Sequence, residues 1–239
     1  MEKQEMTLVQ HIEELRKRII ISFVAFILFF ILGFVFVKDV YTWFVGGLEF
    51  NLTVLGPGEI IWIYFMIATI VAIVGTIPVV AMQIWLFVRP ALKKREQRTT
   101  LLYVPASFLL FILGFSFGYF VILPVVMNFL MGLGSDMFEM MFTIEKYFKF
   151  ILSMTIPFAV LFELPVVVMF LTSLGIINPI KLRKVRRYAY FVLVVISVII
   201  SPPDFLSDFL VIIPLLFLYE FSILLSSVVY RRKLKKMEE

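Results

Sequence analysis

The chain is 239 residues long and 62% hydrophobic, with a formal net charge of +5 and a mean hydropathy of +1.04. Soluble domains hold about 45–50% apolar residues, so this composition excludes an ordinary soluble fold and points to one membrane domain spanning 1–239. With no cysteine and a single histidine, His11, the chain offers no disulfide framework, no thiolate or His-rich metal site and no intramembrane Ser-His dyad, and it has no glycine-rich loop closing on Lys-Ser or Lys-Thr to bind ATP.

The distribution of charge says more than its sum. The 22 Lys and Arg residues concentrate at 3–18, 89–98, 181–187 and 231–236. Basic loops stay on the cytoplasmic side of a membrane. Four such clusters alternating with three basic-poor connections predict six transmembrane helices with both termini in the cytoplasm. Clusters at alternate span ends are topology signals, which argues against nucleic acid as a partner.

Residues 1–18 do not read as a cleavable signal, because Glu2, Glu5, Glu13 and Glu14 precede the apolar run and no small-residue cleavage site follows it. Thr7 and Gln10 resemble a capping box, and Leu8, Ile12, Leu15 and Ile19 share one helical face. An amphipathic helix along the cytoplasmic surface is expected, leading into a first span at 19–37. On its polar side Glu13–Lys17 and Glu14–Arg18 are i,i+4 pairs in the favoured orientation. On local pattern alone these acids read as helix dressing.

The connection at 38–59 holds turn signals at Gly46-Gly47 and Gly56-Pro57-Gly58, and enough apolar residues to pack on the membrane surface. The second span, 60–88, carries Pro78 inside and Gln83 near its cytoplasmic end, and exceeds the ~20 residues a bilayer requires. Pro90 suits the first turn of a new short helix. Beyond it Glu96 is the one acid among five basic residues, readable locally as a partner for Lys93 or Arg95 and worth little at a surface. The third span, 100–130, contains Pro105, Pro124 and a Gly114/Gly118 pair with the four-residue spacing that permits close helix contact. The acidic, methionine-rich connection at 131–145 suits an adaptable apolar surface or a rest on lipid headgroups.

The fourth span, 148–175, has one carboxylate, Glu163, between Pro157 and Pro165. A charge at that depth costs about 2.5–3.5 kcal/mol on insertion scales and ordinarily marks function. The plainer reading is a protonated Glu bonded to a carbonyl freed by a proline kink. The fifth run, 188–200, is only about 20 Å long as a helix and stops at Ser201-Pro202-Pro203-Asp204. The sixth, 205–230, carries Asp208, Pro214 and Glu220. Two short spans or a re-entrant hairpin fit these features; two short spans are expected. Prolines at 78, 105, 124, 157, 165 and 214 bend their helices. They predict a curved, all-α bundle with a polar hollow near Glu163.

Four local signatures then fall in order: His11-Ile12-Glu13-Glu14-Leu15-Arg16-Lys17-Arg18 before the first span; Phe87-x-x-Pro90-Ala91-Leu92 followed by Glu96; Phe162-Glu163-Leu164-Pro165; and Ser201-Pro202-Pro203-Asp204. Together they resemble the TatC family, the multi-spanning receptor subunits of the twin-arginine protein translocase. The resemblance implies a cupped, glove-like bundle in the cell inner membrane that self-associates and carries no cofactor or catalytic residue. It implies binding of twin-arginine signal peptides of folded cargo at the cytoplasmic face. Single-span partner subunits of the TatA and TatB type would then be recruited, with transport driven by the proton-motive force. Carried over by motif, Glu14 and Glu96 recognise the arginine pair with Phe87 beside them. Glu163 is the intramembrane contact for a partner helix, and Asp204 a functional residue of the outer loop. Glu13 stands next to Glu14 and offers a second acid. A different class of function, a proton-coupled transporter of small solutes using Glu163, is suggested by an acid beside broken helices.

Overall fold

The computed structural model describes residues 8–48, 51–92, 94–134, 141–200 and 205–238. Among the described residues the regular structure is helical, and the sole β feature is an isolated bridge between Thr53 and Thr143. The helices are α1 (Leu8–Val35), α2 (Val37–Val45), α3 (Pro57–Val88), α4 (Lys94–Leu101), α5 (Tyr103–Phe117), α6 (Leu123–Gly134), α7 (Ile144–Leu161), α8 (Leu164–Leu174), α9 (Pro179–Lys184), α10 (Arg186–Ile200) and α11 (Phe205–Glu238). A 3₁₀ turn at Arg89–Ala91 follows α3, and a π-helical turn at Gly118–Ile122 joins α5 to α6.

Among the described residues five stretches are long and apolar enough to cross a membrane: Gln10–Val35, Pro57–Val88, Gln97–Leu133, Ile144–Leu174 and Asp208–Leu234. The 15 residues of α10 reach only about 22 Å. No break separates 8–18 from the apolar run that follows, because neither glycine nor proline occurs between Leu8 and Leu32. Large apolar side chains such as Phe23, Ile27 and Ile31 are exposed along α1, as expected of surface that meets hydrocarbon rather than water.

Contacts divide the chain into two compact units, one of residues 1–49 and 64–108, the other of 50–63 and 109–239. In the first, α1 and α3 run antiparallel. A Cβ added at Gly33 would stand 2.8 Å from the Val71 Cβ and 2.9 Å from the Ala68 Cα, and one at Gly75 would run into the Phe29 ring. Ala68 and Ala72 are fully buried beside this seam. Small residues therefore let the two backbones approach, which is the main source of attraction between helices in lipid.

In the second unit the Gly114/Gly118 pair does the same for α7. A Cβ at Gly114 would meet the Phe158 carbonyl at 2.8 Å, and one at Gly118 the Thr155 Cα at 2.9 Å. Phe117 fills the adjoining space against Phe158 and Phe162. Thr143 caps α7, its hydroxyl accepting from the Lys146 N–H. Two backbone bonds, Thr53 N–H to the Phe142 carbonyl and Ile144 N–H to the Thr53 carbonyl, tie residue 53 to this start. α8 packs along α11, where the Thr172 and Ser226 hydroxyls lie 2.8 Å apart. It ends at Gly175, whose φ of +82° suits a residue without a side chain. Lys233 Nζ reaches back to the Ser173 carbonyl at that end, a favourable place for a cation. α10 lies on α11 through Glu220, which accepts from Arg186 (2.7 Å) and from the Tyr190 hydroxyl (2.6 Å).

Because backbone lies against Gly33 and Gly118, Gly33→Ala and Gly118→Ala should each destabilise the protein by about 1–3 kcal/mol. Gly132→Ala, whose added Cβ has open space around it, should not destabilise it. Thermal unfolding in detergent measures all three; equal midpoints across the set would show that close approach is not what holds these helices.

Candidate functional site

Helical periodicity puts His11, Glu14 and Arg18 on one face of α1, at spacings of three and four. Gln83 and Phe87, four apart on α3, form the facing stripe. The antiparallel register matches them in opposite order. His11 stacks on Phe87 with ring centroids 4.5 Å apart, and Arg18 donates through one terminal nitrogen to Gln83 Oε1 at 3.0 Å. The other terminal nitrogen of Arg18 pairs with Glu14 Oε1 at 3.1 Å. Glu14 is mostly buried, with 18% of its side chain exposed, whereas neighbouring Glu13 is exposed. One residue of helical rotation separates an acid held against α3 from one that points away from it.

The turn after α3 is held by its own set of bonds. Gln97 donates to the Arg89 and Leu92 carbonyls, both at 3.2 Å, and Leu92 is buried beneath. Trp85 Nε1 donates to the buried Thr100 hydroxyl at 3.1 Å, and the Arg89 guanidinium lies 5.5 Å from the Trp85 ring centre. These contacts fasten α4 to the end of α3. Glu96 lies in α4, one residue before Gln97; its side chain lies outside the described residues. Sequence reasoning singled out Glu14 and Phe87; both lie at this end of the α1–α3 pair, Glu14 against Arg18 and Phe87 against His11. It also paired Glu14 with Arg18, which the structure bears out, but it assigned no role to Gln83 or Gln97. A polar Gln83 inside an apolar run was the available signal, since such a group needs a partner when buried.

Glu163 belongs to the second unit. It occupies the joint between α7 and α8, where its N–H bonds the Val160 carbonyl and its own carbonyl accepts from Val167. Pro165 causes the joint: lacking an N–H, it cannot continue α7 but suits the first turn of α8. Pro157, by contrast, is absorbed inside α7. The Glu163 side chain is half-buried and does not cap α8. Asp204 lies outside the described residues. Among the described residues no three His, Asp or Glu side chains gather into a possible metal site.

Known proteins similar to this chain in sequence and in fold belong to one family. The model of the family Sec-independent protein translocase protein (TatC) matches residues 10–214. The Sec-independent protein translocase protein TatCd of Bacillus subtilis (strain 168) is 52% identical over 236 residues, covering 99% of this chain and 98% of its own. TatCy of the same organism is 43% identical over 244 residues, covering 98% and 94%. A crystal structure of the twin arginine translocase receptor TatC in DDM superposes with a TM-score of 0.80 at 35% identity, over 91% of this chain and 99% of that one. The extent of these matches, on both chains and in both sequence and fold, establishes that this membrane protein belongs to the TatC family of Sec-independent protein translocase proteins.

Proposed function

We propose that the chain is the receptor of a twin-arginine translocase, binding the signal peptides of folded cargo at the cytoplasmic end of α1 and α3. The observation that carries this reading is the Glu14 carboxylate, mostly buried and held by Arg18 at the end of the α1–α3 pair where His11 stacks on Phe87. Carboxylate binds guanidinium through two parallel charge-assisted bonds, a geometry lysine does not offer. Glu96, on α4 at the same end of α3, supplies the second carboxylate for the second arginine. The many surrounding Lys and Arg side chains repel stray cations, so only a ligand that fits both acids gains from entering.

The same reading extends to topology and assembly. Basic segments at both ends of the chain and in two inner connections place both termini in the cytoplasm of a cell inner membrane. Six spans follow, with α10 as a short fifth and the sixth short as well. Support comes from Glu220, which meets the first turn of α10, so α10 pairs with only the earlier part of α11. Asp204 serves in the outer connection after the fifth span. Glu163, at a helix joint in the fourth span, contacts a single-span partner subunit, and copies of the chain associate in the complex. As the family resemblance implies, the proton-motive force drives transport. Membership of a protein-translocase family does not favour Glu163 as the proton site of a solute transporter.

Three outcomes are expected. Glu14→Ala and Glu96→Ala each weaken a labelled twin-arginine peptide by about tenfold or more, the scale of one charge-assisted bond, while Glu13→Ala stays within about twofold; fluorescence anisotropy on the purified chain reads this, and wild-type affinity in both of the first two variants would remove the site. Glu163→Ala reduces co-purification of a single-span partner subunit; full recovery of the complex argues against the partner contact. As the chain has no native cysteine, Ser201→Cys can be labelled alone, and an impermeant maleimide added outside spheroplasts should reach it if α10 crosses the membrane.

A further inference from the structure

The Glu14 carboxylate already holds a guanidinium, and that guanidinium belongs to the chain itself. We propose that Arg18 sets the selectivity of this site for arginine over lysine by competing for Glu14, an inference that rests on Glu14 being a signal-peptide contact.

Three features of Arg18 support this role. It gives Glu14 a single bond, at 3.1 Å to Oε1, and among the described residues the other carboxylate oxygen accepts none. Its second terminal nitrogen is turned to Gln83 on α3, so the fork is split between two acceptors on two helices instead of closing on one. Its Nε is buried without an acceptor among the described residues, and a buried donor left unsatisfied disfavours the arrangement that leaves it so. Arg18 is thus a resident held by α1–α3 packing with part of its hydrogen-bonding capacity unused.

An arriving arginine can approach the open oxygen of Glu14, close both of its parallel bonds on the carboxylate and leave Arg18 on Gln83. An ammonium brings one point charge and no parallel pair, so it does not recover what is lost when Arg18 is displaced. Exposed Arg16 and Lys17 repel any cation alike. Arg18 discriminates because it contests the same hydrogen bonds that the ligand needs. A pair that merely fastened α1 to α3 would, on removal, weaken every peptide equally.

The test compares twin-arginine and twin-lysine peptides on the full chain in lipid nanodiscs. Arg18→Gln should raise the affinity for the twin-lysine peptide and contract the arginine preference by about tenfold, the equivalent of one charge-assisted bond. Arg18→Lys, which keeps the charge but not the fork, should contract it less. Gln83→Ala frees Arg18 to close both ends on Glu14, and should weaken the twin-arginine peptide; adding Arg18→Gln should restore it. Equal losses for both peptides, an unchanged preference, or additive losses in the double variant would overturn the proposal. If Glu14→Ala itself binds like wild type, the receptor site is at fault; if Glu14→Ala loses binding while Arg18→Gln keeps the preference, only the role of Arg18 fails.

Discussion

Helices in hydrocarbon gain little by hiding leucine from lipid, so α1 and α3 are held chiefly by how closely their backbones meet. Gly33 against Ala68 and Val71, and Gly75 under the Phe29 ring, set that distance. The antiparallel register they impose continues to the helix ends, where it brings Arg18 to Gln83 and His11 to Phe87. The polar site is therefore a consequence of an apolar seam two or more turns away. Glu14 and Arg18 pair within α1, but Arg18 reaches Gln83 on α3 because small residues along the seam keep the two helices close.

The second unit uses the same device and adds interruptions. Gly114 and Gly118 admit α7, and the π-helical turn begins at Gly118 itself. Extra residues in one turn leave backbone groups off their usual ladder, which a membrane tolerates only where neighbouring helices cover them. The α7–α8 joint follows the same logic. Pro165 ends one helix and starts the next, and the acid between them is half-buried against protein rather than carried on an unbroken lipid-facing helix. Broken helices and the intramembrane acid are thus two aspects of one local solution.

Electrostatics separates acids that look alike in sequence. Glu13 and Glu14 have the same chemistry and each has a basic residue four positions on. In the structure Glu14 pairs with Arg18 against α3, while Glu13 is exposed. An exposed pair in a basic, solvated surface contributes little. A carboxylate shielded from water and already ordered by a guanidinium is a much sharper recognition element. Glu220 shows the same contrast: alone it would interrupt the last apolar helix, but with Arg186 and Tyr190 from α10 it becomes a fastening between helices.

Composition and pattern by themselves determined that the chain is a helical membrane protein, because 62% apolar content in runs of helical length has no other stable solution in water or lipid. Ordered motifs around Glu14, Phe87, Glu96 and Glu163 were sufficient to reach the family. Tertiary structure decided the rest. It joined 8–18 to the apolar run as one helix, kept α11 continuous through Pro214, and turned Glu14 rather than Glu13 toward α3. It also recruited Gln83 and Arg18 to the same spot. The meeting of Arg18 with Gln83 is not legible locally, since it depends on which residues of a distant segment come opposite. That pairing is set by helix register and close backbone approach, quantities that exist only once two helices are packed together.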